Sequence, residues 1–239
     1  MIDQINLIET RYFNDKPIIK LMNGHEIIHA VKQILAELPS HVKLVAAAKT
    51  RTMEEVNAAI EAGIRILGYN YLQEAEQMYT YVGRKARWHM IGHLQRNKVK
   101  KAVSLFDMIE TVDSERLALA IDRHCAEINK TMPVLIEVNS GNEPAKAGVL
   151  PEDVPGLLRK IKNLANIEIQ GLMTMGPIYA DPEMIRPYFR KTKELFDMLA
   201  PDYNMHYLSM GMSDSYQIAI EEGANIVRIG TRLFGARSY

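Results

Sequence analysis

A lysine closes an apolar run near the beginning of the chain, where its side chain could become a reactive amine. Lys49 directly follows one valine and three alanines at positions 45–48, so its aliphatic stem would lie against small apolar side chains. Burial lowers the pKa of a lysine, and the neutral amine is the form that adds to an aldehyde. Lys49 is therefore a candidate for Schiff-base chemistry, or else the first residue of a solvated loop.

Two segments near the end of the chain could together bind an anion such as phosphate. Ser213 is predicted to open a helix over residues 214–221, and the free N–H groups of a helix start attract anions. Gly230 and Thr231 end another apolar run, and the missing side chain at Gly230 would let backbone N–H groups approach the same anion. The alternative is that Gly230 serves only close packing and that Ser213 is an ordinary N-cap.

An arginine lies inside the apolar run at residues 226–229, where it costs free energy unless it is paired. Alternation along a strand puts Arg228 on the same face as Ile226 and Gly230, so its side chain would point inward below Gly230. It would then either contact a ligand one layer beneath the anion or form a structural ion pair with an internal carboxylate.

His89 and His93 are four residues apart, a spacing that could bind a metal on a helix. Their run instead looks like a strand entering a loop, which separates them, and no Asp or Glu stands beside them in the sequence. Cys125 is the only cysteine, which excludes an intramolecular disulfide and a cysteine-based zinc site. We expect no metal site.

Eight short apolar or β-branched runs would position these residues, and they alternate with stretches of helical spacing. The runs cover residues 42–48, 65–69, 87–91, 108–112, 133–139, 168–175, 204–210 and 225–229. Capping residues at Thr50 or Thr52, at Ser114 and at Asp181 predict helices over 53–60, 115–128 and 183–199. A further amphipathic helix, at about 18–38, precedes the first strand.

Strands that alternate with helices pair in parallel through right-handed crossovers. Eight such units in about 200 residues predict an α/β fold, the (β/α)8 TIM barrel, as a single domain over residues 1–239. An open doubly wound sheet would need a glycine-rich first turn, and residues 49–52 contain no glycine. In the barrel, the polar residues that end the strands meet at one face, among them Asn70, His93, Asp113 and Asn139.

The composition bounds the class of protein. Of the 239 residues 47% are apolar, and 29 basic side chains balance 29 acidic ones. A zero net charge argues against nucleic acid or an anionic membrane as the main partner, since both favour a basic excess. No apolar run approaches the roughly 20 residues that span a bilayer, and residues 1–16 lack a secretory signal, so we expect a cytoplasmic protein.

Taken together, these segments resemble the pyridoxal phosphate homeostasis protein family, which is similar to the N-terminal barrel of alanine racemase. The matching stretches follow one another from about residue 42 to residue 237 and cover nearly the whole chain. They read VAAAKT from Val45, GYNYLQE from Gly68, WHMIGHLQRNK from Trp88, GLMTM from Gly171, LSMGMSD from Leu208, VRIGT from Val227 and FGAR from Phe234.

The resemblance implies that Lys49 holds pyridoxal 5′-phosphate (PLP) as an internal aldimine. It also implies that the phosphate is bound by Ser213, Gly230 and Thr231, that Arg228 faces the pyridine nitrogen, and that Asn70 and Met210 line the cofactor. One residue departs from the family pattern, because Tyr69 stands near the mouth where the family usually has Glu. A phenol cannot replace that carboxylate as an anion near neutral pH.

Two functions of different classes fit the resemblance: a protein that holds PLP and hands it on, with PLP-dependent apo-enzymes as candidate recipients, and an amino-acid racemase. Racemases of this fold need a second base, a tyrosine from a separate β domain through which their subunits pair. This chain ends at Tyr239 soon after the eighth strand, so we expect that domain to be missing and the protein to be a monomer. The direction of the Tyr69 phenol is open.

An arginine against the pyridine nitrogen opposes protonation of the ring and so weakens PLP as an electron sink. Racemases of this fold share that arginine, so it does not separate the two functions by itself. A Schiff-base aldolase acting on a phosphosugar would also use a lysine and a phosphate site, but aldolases of this fold carry their lysine on later strands. We therefore expect a non-catalytic PLP-binding protein, with a PLP-dependent racemase as the alternative.

Overall fold

The computed structural model describes residues 12–13, 16–17, 22–177, 179 and 181–236. Within these residues, eight parallel strands form a closed barrel, and a helix follows each strand along the chain. Strand β8 pairs with β1, Arg228 opposite Val45, and this pairing closes the sheet. The barrel strands are β1 (Lys43–Ala47), β2 (Ile66–Tyr69), β3 (Arg87–Met90), β4 (Met108–Val112), β5 (Met132–Glu137), β6 (Ile167–Met173), β7 (Tyr207–Ser209) and β8 (Ile226–Ile229).

The helices of the described residues cover the outside of the barrel. They are α1 (Gly24–Glu37), α2 (Met53–Ala62), α3 (Leu72–Val82), α4 (Val99–Leu105), α5 (Glu115–Ala126), α6 (Val154–Ile161), α7 (Arg186–Tyr203), α8 (Tyr216–Glu221) and α9 (Thr231–Phe234). Short 3-10 turns lie at Gly83–Lys85, Arg96–Lys98, Pro151–Asp153 and Pro182–Ile185. A two-residue antiparallel ribbon, Tyr12–Phe13 with Lys16–Pro17, does not join the barrel.

The predicted fold is confirmed: all eight predicted strands occur, within three residues at either end, and the open sheet is excluded. The helix before the first strand also occurs, but it begins at Gly24 rather than near residue 18. Asn23 explains that start, because its side chain accepts the N–H of Glu26 while the Glu26 carboxylate accepts the N–H of Asn23. Residues 18–21 of the predicted segment lie outside the described residues.

The capping predictions are mostly confirmed. Thr52, and not Thr50, caps α2 in a reciprocal pair with Glu55, and Ser114 caps α5. Asp181 accepts the N–H of Glu183, but this cap opens a 3-10 turn, and α7 itself begins at Arg186 and runs to Tyr203.

The predicted helix over residues 214–221 is wrong at its start, because α8 begins at Tyr216. Ser213 instead lies in a turn, where the N–H of Ser215 donates to the carbonyl of Met212 and the Ser215 hydroxyl accepts the N–H of Met212. This turn uses the backbone groups that a longer helix would need. Ser213 is therefore not an N-cap, and its hydroxyl is directed elsewhere.

Side chains alternate between two apolar clusters on the two faces of the barrel wall. The inner cluster fills the bore with Val45, Ile66, Ile91, Met108, Leu135, Met173 and Ile226. The outer cluster lies between the strands and the helices and includes Leu67, Trp88, Ile109, Phe189 and Leu233. No helix of the described residues has both the length and the apolar character that a membrane crossing requires.

Candidate functional site

Lys49 lies just beyond the end of β1, at the carboxyl end of the barrel, which we call the mouth. Val45 and Ala47 contact the inner cluster, and strand alternation continues this face towards Lys49, whose side chain is half-buried. The next residue, Thr50, has a left-handed backbone with a φ of 60° and turns the chain away from the strand. Lys49 is thus part of a tight turn rather than of a loosely solvated loop.

Two side chains fix the loop that carries Lys49. The N–H of Thr50 donates to Oε2 of Glu74 on α3 over 3.1 Å. The Arg51 guanidinium donates to three consecutive backbone carbonyls at residues 234–236, over 2.6–3.2 Å, where α9 ends. The loop after β1 is therefore fastened to the segment after β8, which carries the predicted anion-binding residues.

Ser213 lies where backbone donors from the end of β8 converge. The N–H groups of Gly230 and Arg232 both point at its hydroxyl oxygen, each over 3.4 Å. These distances exceed the usual 2.7–3.2 Å of an N–H···O bond, so the two donors are only weakly engaged. Thr231, between them, is exposed and begins α9. We call Ser213 and residues 230–232 the amide cradle.

Gly230 also permits close packing, as the alternative prediction held. A Cβ at this position would lie 3.2 Å from the carbonyl oxygen of Ala47, the residue that ends β1. A larger residue would push β8 and its following turn away from β1. The glycine therefore brings the amide cradle close to the strand that leads to Lys49.

Arg228 points into the barrel, as predicted, and is almost fully buried. One guanidinium nitrogen donates to the Ser209 hydroxyl over 2.6 Å, and the other donates to the carbonyl of Thr174 over 2.8 Å. Ser209 in turn donates to Glu110 over 2.7 Å. Burial lowers the pKa of Arg228, although Glu110 and Glu137 oppose this effect, and the group stays a cation.

Glu110 is the internal carboxylate of this network and is fully buried on β4. Its second oxygen lies 2.7 Å from Nδ1 of His89 on β3. Burial raises the pKa of Glu110, but hydrogen bonds from His89 and Ser209 and the charge of Arg228 outweigh burial and hold the pKa below its usual value. A chain of hydrogen bonds thus crosses the bore from His89 to Arg228.

Asn70 and Met210 occupy different faces of the barrel wall. Asn70 follows β2 at the mouth and is half-buried, and the backbone of Gly92 packs so closely on it that a Cβ there would lie 2.5 Å from Asn70 Cα. Met210 is fully buried, and its side chain belongs to the outer cluster. Any contact of Met210 with a ligand at the mouth would therefore come from its backbone.

Tyr69 ends β2 next to the mouth, but its side chain points outward, away from the bore, which answers the question of direction that the sequence left open. Its ring is buried in the outer cluster and stacks on Trp88 with a centroid distance of 5.5 Å. Burial, together with the charge of Glu74, raises the pKa of the phenol above its ordinary value. The hydroxyl is buried and has no hydrogen-bond partner among the described residues.

A cavity of about 160 Å³ lies at the mouth, lined by residues at the ends of β2, β3, β5 and β6 and by the loop after β5. Glu137, the last residue of β5, lines it, with a side chain that is only 7% exposed. Its Oε2 has no hydrogen-bond partner among the described residues. Burial and the charge of Asp113 raise the pKa of Glu137 to about 7, against the opposing charge of Arg228.

His89 and His93 are separated as the sequence predicts, because β3 ends between them. His93 pairs with Asp113 over 3.4 Å, while His89 pairs with Glu110 in the bore. Across the described ranges there is no group of three or more His, Cys, Asp or Glu side chains that could hold a metal ion.

Sequence reasoning missed Glu110 and Glu137. Glu110 carries the same signal as Arg228, a charged residue inside an apolar strand that must find an internal partner. Glu137 is not predicted as a site residue because the predicted run extends to residue 139, which makes Asn139 the expected strand end. In the structure β5 ends at Glu137.

The fold and the site define the class of this protein. Residues 23–238 match the family model of the alanine racemase N-terminal domain. Alanine racemase of Clostridium difficile 630, in complex with cycloserine, superimposes with a TM-score of 0.75 at 15% identity. That superposition covers 91% of this chain and 60% of the racemase chain. The shared feature with the racemase is the barrel fold.

Two proteins with higher sequence identity to this chain identify its family. The pyridoxal phosphate homeostasis protein of Aquifex aeolicus is 43% identical over 200 residues, covering 82% of this chain and 88% of the relative. PipY of Synechococcus elongatus PCC7942, solved with PLP bound, is 32% identical with a TM-score of 0.82. The superposition covers 87% of this chain and 100% of the PipY chain. The chain belongs to the pyridoxal phosphate homeostasis protein family.

Proposed function

We propose that this chain binds PLP at the barrel mouth and that Lys49 joins the cofactor aldehyde as a Schiff base. The observation that carries the proposal is that Lys49 and the amide cradle follow neighbouring strands. Lys49 follows β1, the cradle residues 230–232 follow β8, and these two strands pair directly. A primary amine beside an anion site fits the aldehyde and the phosphate of one PLP molecule. The PLP bound in PipY supports this assignment.

The amide cradle would hold the phosphate. The N–H groups of Gly230 and Arg232 are weakly engaged by Ser213 and could turn to phosphate oxygens, with the Ser213 hydroxyl as a third donor. Thr231 would add its own N–H and hydroxyl from the same turn. Asn70 would line the opposite side of the ring, and Met210 would contribute its backbone.

Arg228 would face the pyridine nitrogen from below. A permanent cation there opposes protonation of the ring, so bound PLP stabilises a substrate carbanion poorly. The racemase alternative also needs a second base, and Tyr69 is unsuited because its phenol is buried behind the barrel wall. Racemases of this fold share that arginine, so the buried phenol of Tyr69 is what favours a protein that holds PLP over a racemase. We propose that the protein works as a monomer, without turnover of its own, and delivers PLP to apo-enzymes.

The test is chemical fixation of the cofactor. Purified protein saturated with PLP is treated with borohydride, which reduces a Schiff base to a stable amine, and the labelled peptide is identified. We expect the label on Lys49, its loss in Lys49→Ala, and no change in the matched control Lys101→Ala, whose side chain is exposed on α4. A label that remains in Lys49→Ala would contradict the linkage.

The same preparation separates carrier from racemase. Incubation of the PLP-saturated protein with L-alanine should give no D-alanine by chiral chromatography. Steady formation of D-alanine that disappears in Lys49→Ala would establish the racemase instead.

A further inference from the structure

The cavity beside Glu137 is built around a carboxylate oxygen that the protein leaves unsatisfied. Burying an acceptor without a partner costs about 1–3 kcal/mol, and more when the group is charged. Lys146 lines the cavity and Arg228 acts on Glu137 by its charge, but the hydrogen bonds of both cations go elsewhere among the described residues. Lys146 contacts Glu143 and the carbonyl of Gly176, and Arg228 contacts Ser209 and Thr174. A donor from outside the chain would satisfy Glu137.

The charges around Glu137 favour a cation as that donor. Asp113 faces Glu137 from the end of β4, and its negative charge adds to that of Glu137. The other titratable groups at the cavity are His93 after β3, paired with Asp113, and Glu143 and Lys146 in the loop after β5, paired with each other. The charge of Arg228 on β8 acts on Glu137 in the opposite sense.

The rest of the cavity lining combines apolar side chains with polar ones, and the Asn139 and Ser140 side chains among them are already hydrogen-bonded within the chain. Ile91, Ala147 and Met175 supply apolar surface, which we call the apolar wall. A cavity of about 160 Å³ is smaller than the roughly 300–1,000 Å³ of pockets for drug-sized ligands, so it suits a small ligand. A buried carboxylate in a small cavity with apolar side chains in its wall matches an alkylammonium ion better than a bare inorganic cation, which would lose hydration against those side chains.

We propose that this cavity binds the ammonium group of a small primary amine, with Glu137 as its acceptor. The amine enters at the barrel mouth and donates to Oε2 of Glu137, while its alkyl part packs against the apolar wall. The site lies across the mouth from the amide cradle, which follows β7 and β8.

The location gives the site a role that rests on the proposed function. An amine held here shares the barrel mouth with the Lys49 amine. Once its ammonium had passed a proton to the Glu137 carboxylate, the neutral amine could replace Lys49 as the imine partner of a cofactor whose phosphate lies in the amide cradle. The Lys49 nitrogen would leave as a free amine, and the cofactor would no longer be joined covalently to the chain, so arrival of an amine would favour its release.

The site is tested without the cofactor, so that its failure is distinguishable from failure of the PLP assignment. Lys49→Ala protein, dialysed free of carbonyl compounds, is titrated with ethylammonium chloride by calorimetry at pH 8. We expect saturable binding that falls at least tenfold when Glu137→Gln is added. The control Glu152→Gln, an exposed carboxylate before α6, should leave the affinity unchanged.

Two further measurements define the ligand. Between pH 6 and pH 8 the affinity should rise about tenfold, because a group with a pKa of about 7 increases its ionised fraction by that factor. Neutral n-propanol, of similar size, should not bind, and potassium chloride should not compete at equal ionic strength. Absence of saturable binding, equal binding by Glu137→Gln, equal binding of n-propanol or displacement by potassium would each overturn the proposal.

Discussion

Thr50 shows how one residue can be held in an unfavourable conformation next to a functional side chain. Its φ of 60° places a β-branched residue in the left-handed region, which costs about 1–2 kcal/mol. The hydrogen bond from its N–H to Glu74 offsets part of this cost. Because Thr50 follows Lys49 directly, Glu74 acts as a positioning residue for the lysine.

We predict that Glu74→Ala lowers the free energy of unfolding by about 1–2 kcal/mol and makes PLP dissociate several-fold faster, since the turn after Lys49 loses its anchor. The dissociation rate is measured from the loss of imine absorbance on dilution. Glu76→Ala, on the same helix, is the control, and Glu74→Gln should restore slow release because the amide oxygen still accepts. A Glu74→Gln variant as fast as Glu74→Ala would contradict this role.

Glu137 makes stability depend on pH. Its pKa of about 7 lies above the ordinary 4.5, so the folded state favours the protonated form. The contribution is fully present below pH 4.5 and is lost as the pH rises through 7, with an upper bound of about 3 kcal/mol. Urea unfolding between pH 5 and pH 8 should show this decline in the parent protein and a smaller decline in Glu137→Gln. Parallel pH profiles for the two proteins would exclude this origin.

A site residue can be predicted from the sequence when its sequence neighbours alone mark it as unusual. Lys49, Gly230 and Arg228 stand out because an apolar run ends at or surrounds each of them. Glu110 carries the same signal, but its partners His89 and Ser209 come from other strands and become visible only when the barrel closes. The direction of the Tyr69 side chain likewise depends on the register of β2. An error of one residue in that register would turn the side chain from one face of the sheet to the other.

At the scale of elements, the strands were predictable because alternation and buried apolar runs are local properties. The start of α8 was not, because the side chain of Ser215 competes with the backbone for the same hydrogen bonds. The contact that assembles the site is also non-local: Arg51, between β1 and α2, binds the carbonyl groups after α9. Helix ends otherwise leave such carbonyls without partners.

We predict that Arg51→Ala destabilises the protein by about 2–3 kcal/mol and weakens PLP binding, because the loop of Lys49 separates from the amide cradle. Urea unfolding and equilibrium titration with PLP measure the two effects. Arg84→Ala is a suitable control, since the Arg84 side chain is 76% exposed and its ion pair with Asp107 should contribute less than about 1 kcal/mol. Equal stability of the two variants would argue against the proposed fastening.

At the scale of the whole molecule, the closed barrel links the two ends of the described chain. Helix α1 packs against α2 and α9, and the hydroxyl of Tyr216 on α8 donates to Glu37 at the end of α1 over 2.8 Å. Early and late elements of the described residues therefore share one set of contacts.

A single domain predicts one cooperative unfolding transition. Differential scanning calorimetry should give one peak whose calorimetric and van't Hoff enthalpies agree. PLP should move that peak to higher temperature, because it binds the folded state. Two resolved transitions, or a van't Hoff enthalpy well above or below the calorimetric value, would contradict a single folding unit.

The network around Arg228 has one further consequence. Ser209 and Thr174 belong to the barrel wall and its mouth, and they orient the guanidinium independently of any ligand. Association therefore does not have to freeze the rotamers of a long flexible side chain, a loss of entropy that otherwise weakens affinity by about 0.5–1.5 kcal/mol. A guanidinium held in a fixed position selects ligands that place a hydrogen-bond acceptor opposite it. PLP analogues whose ring lacks an acceptor facing Arg228 should therefore bind weakly, even when their phosphate is intact.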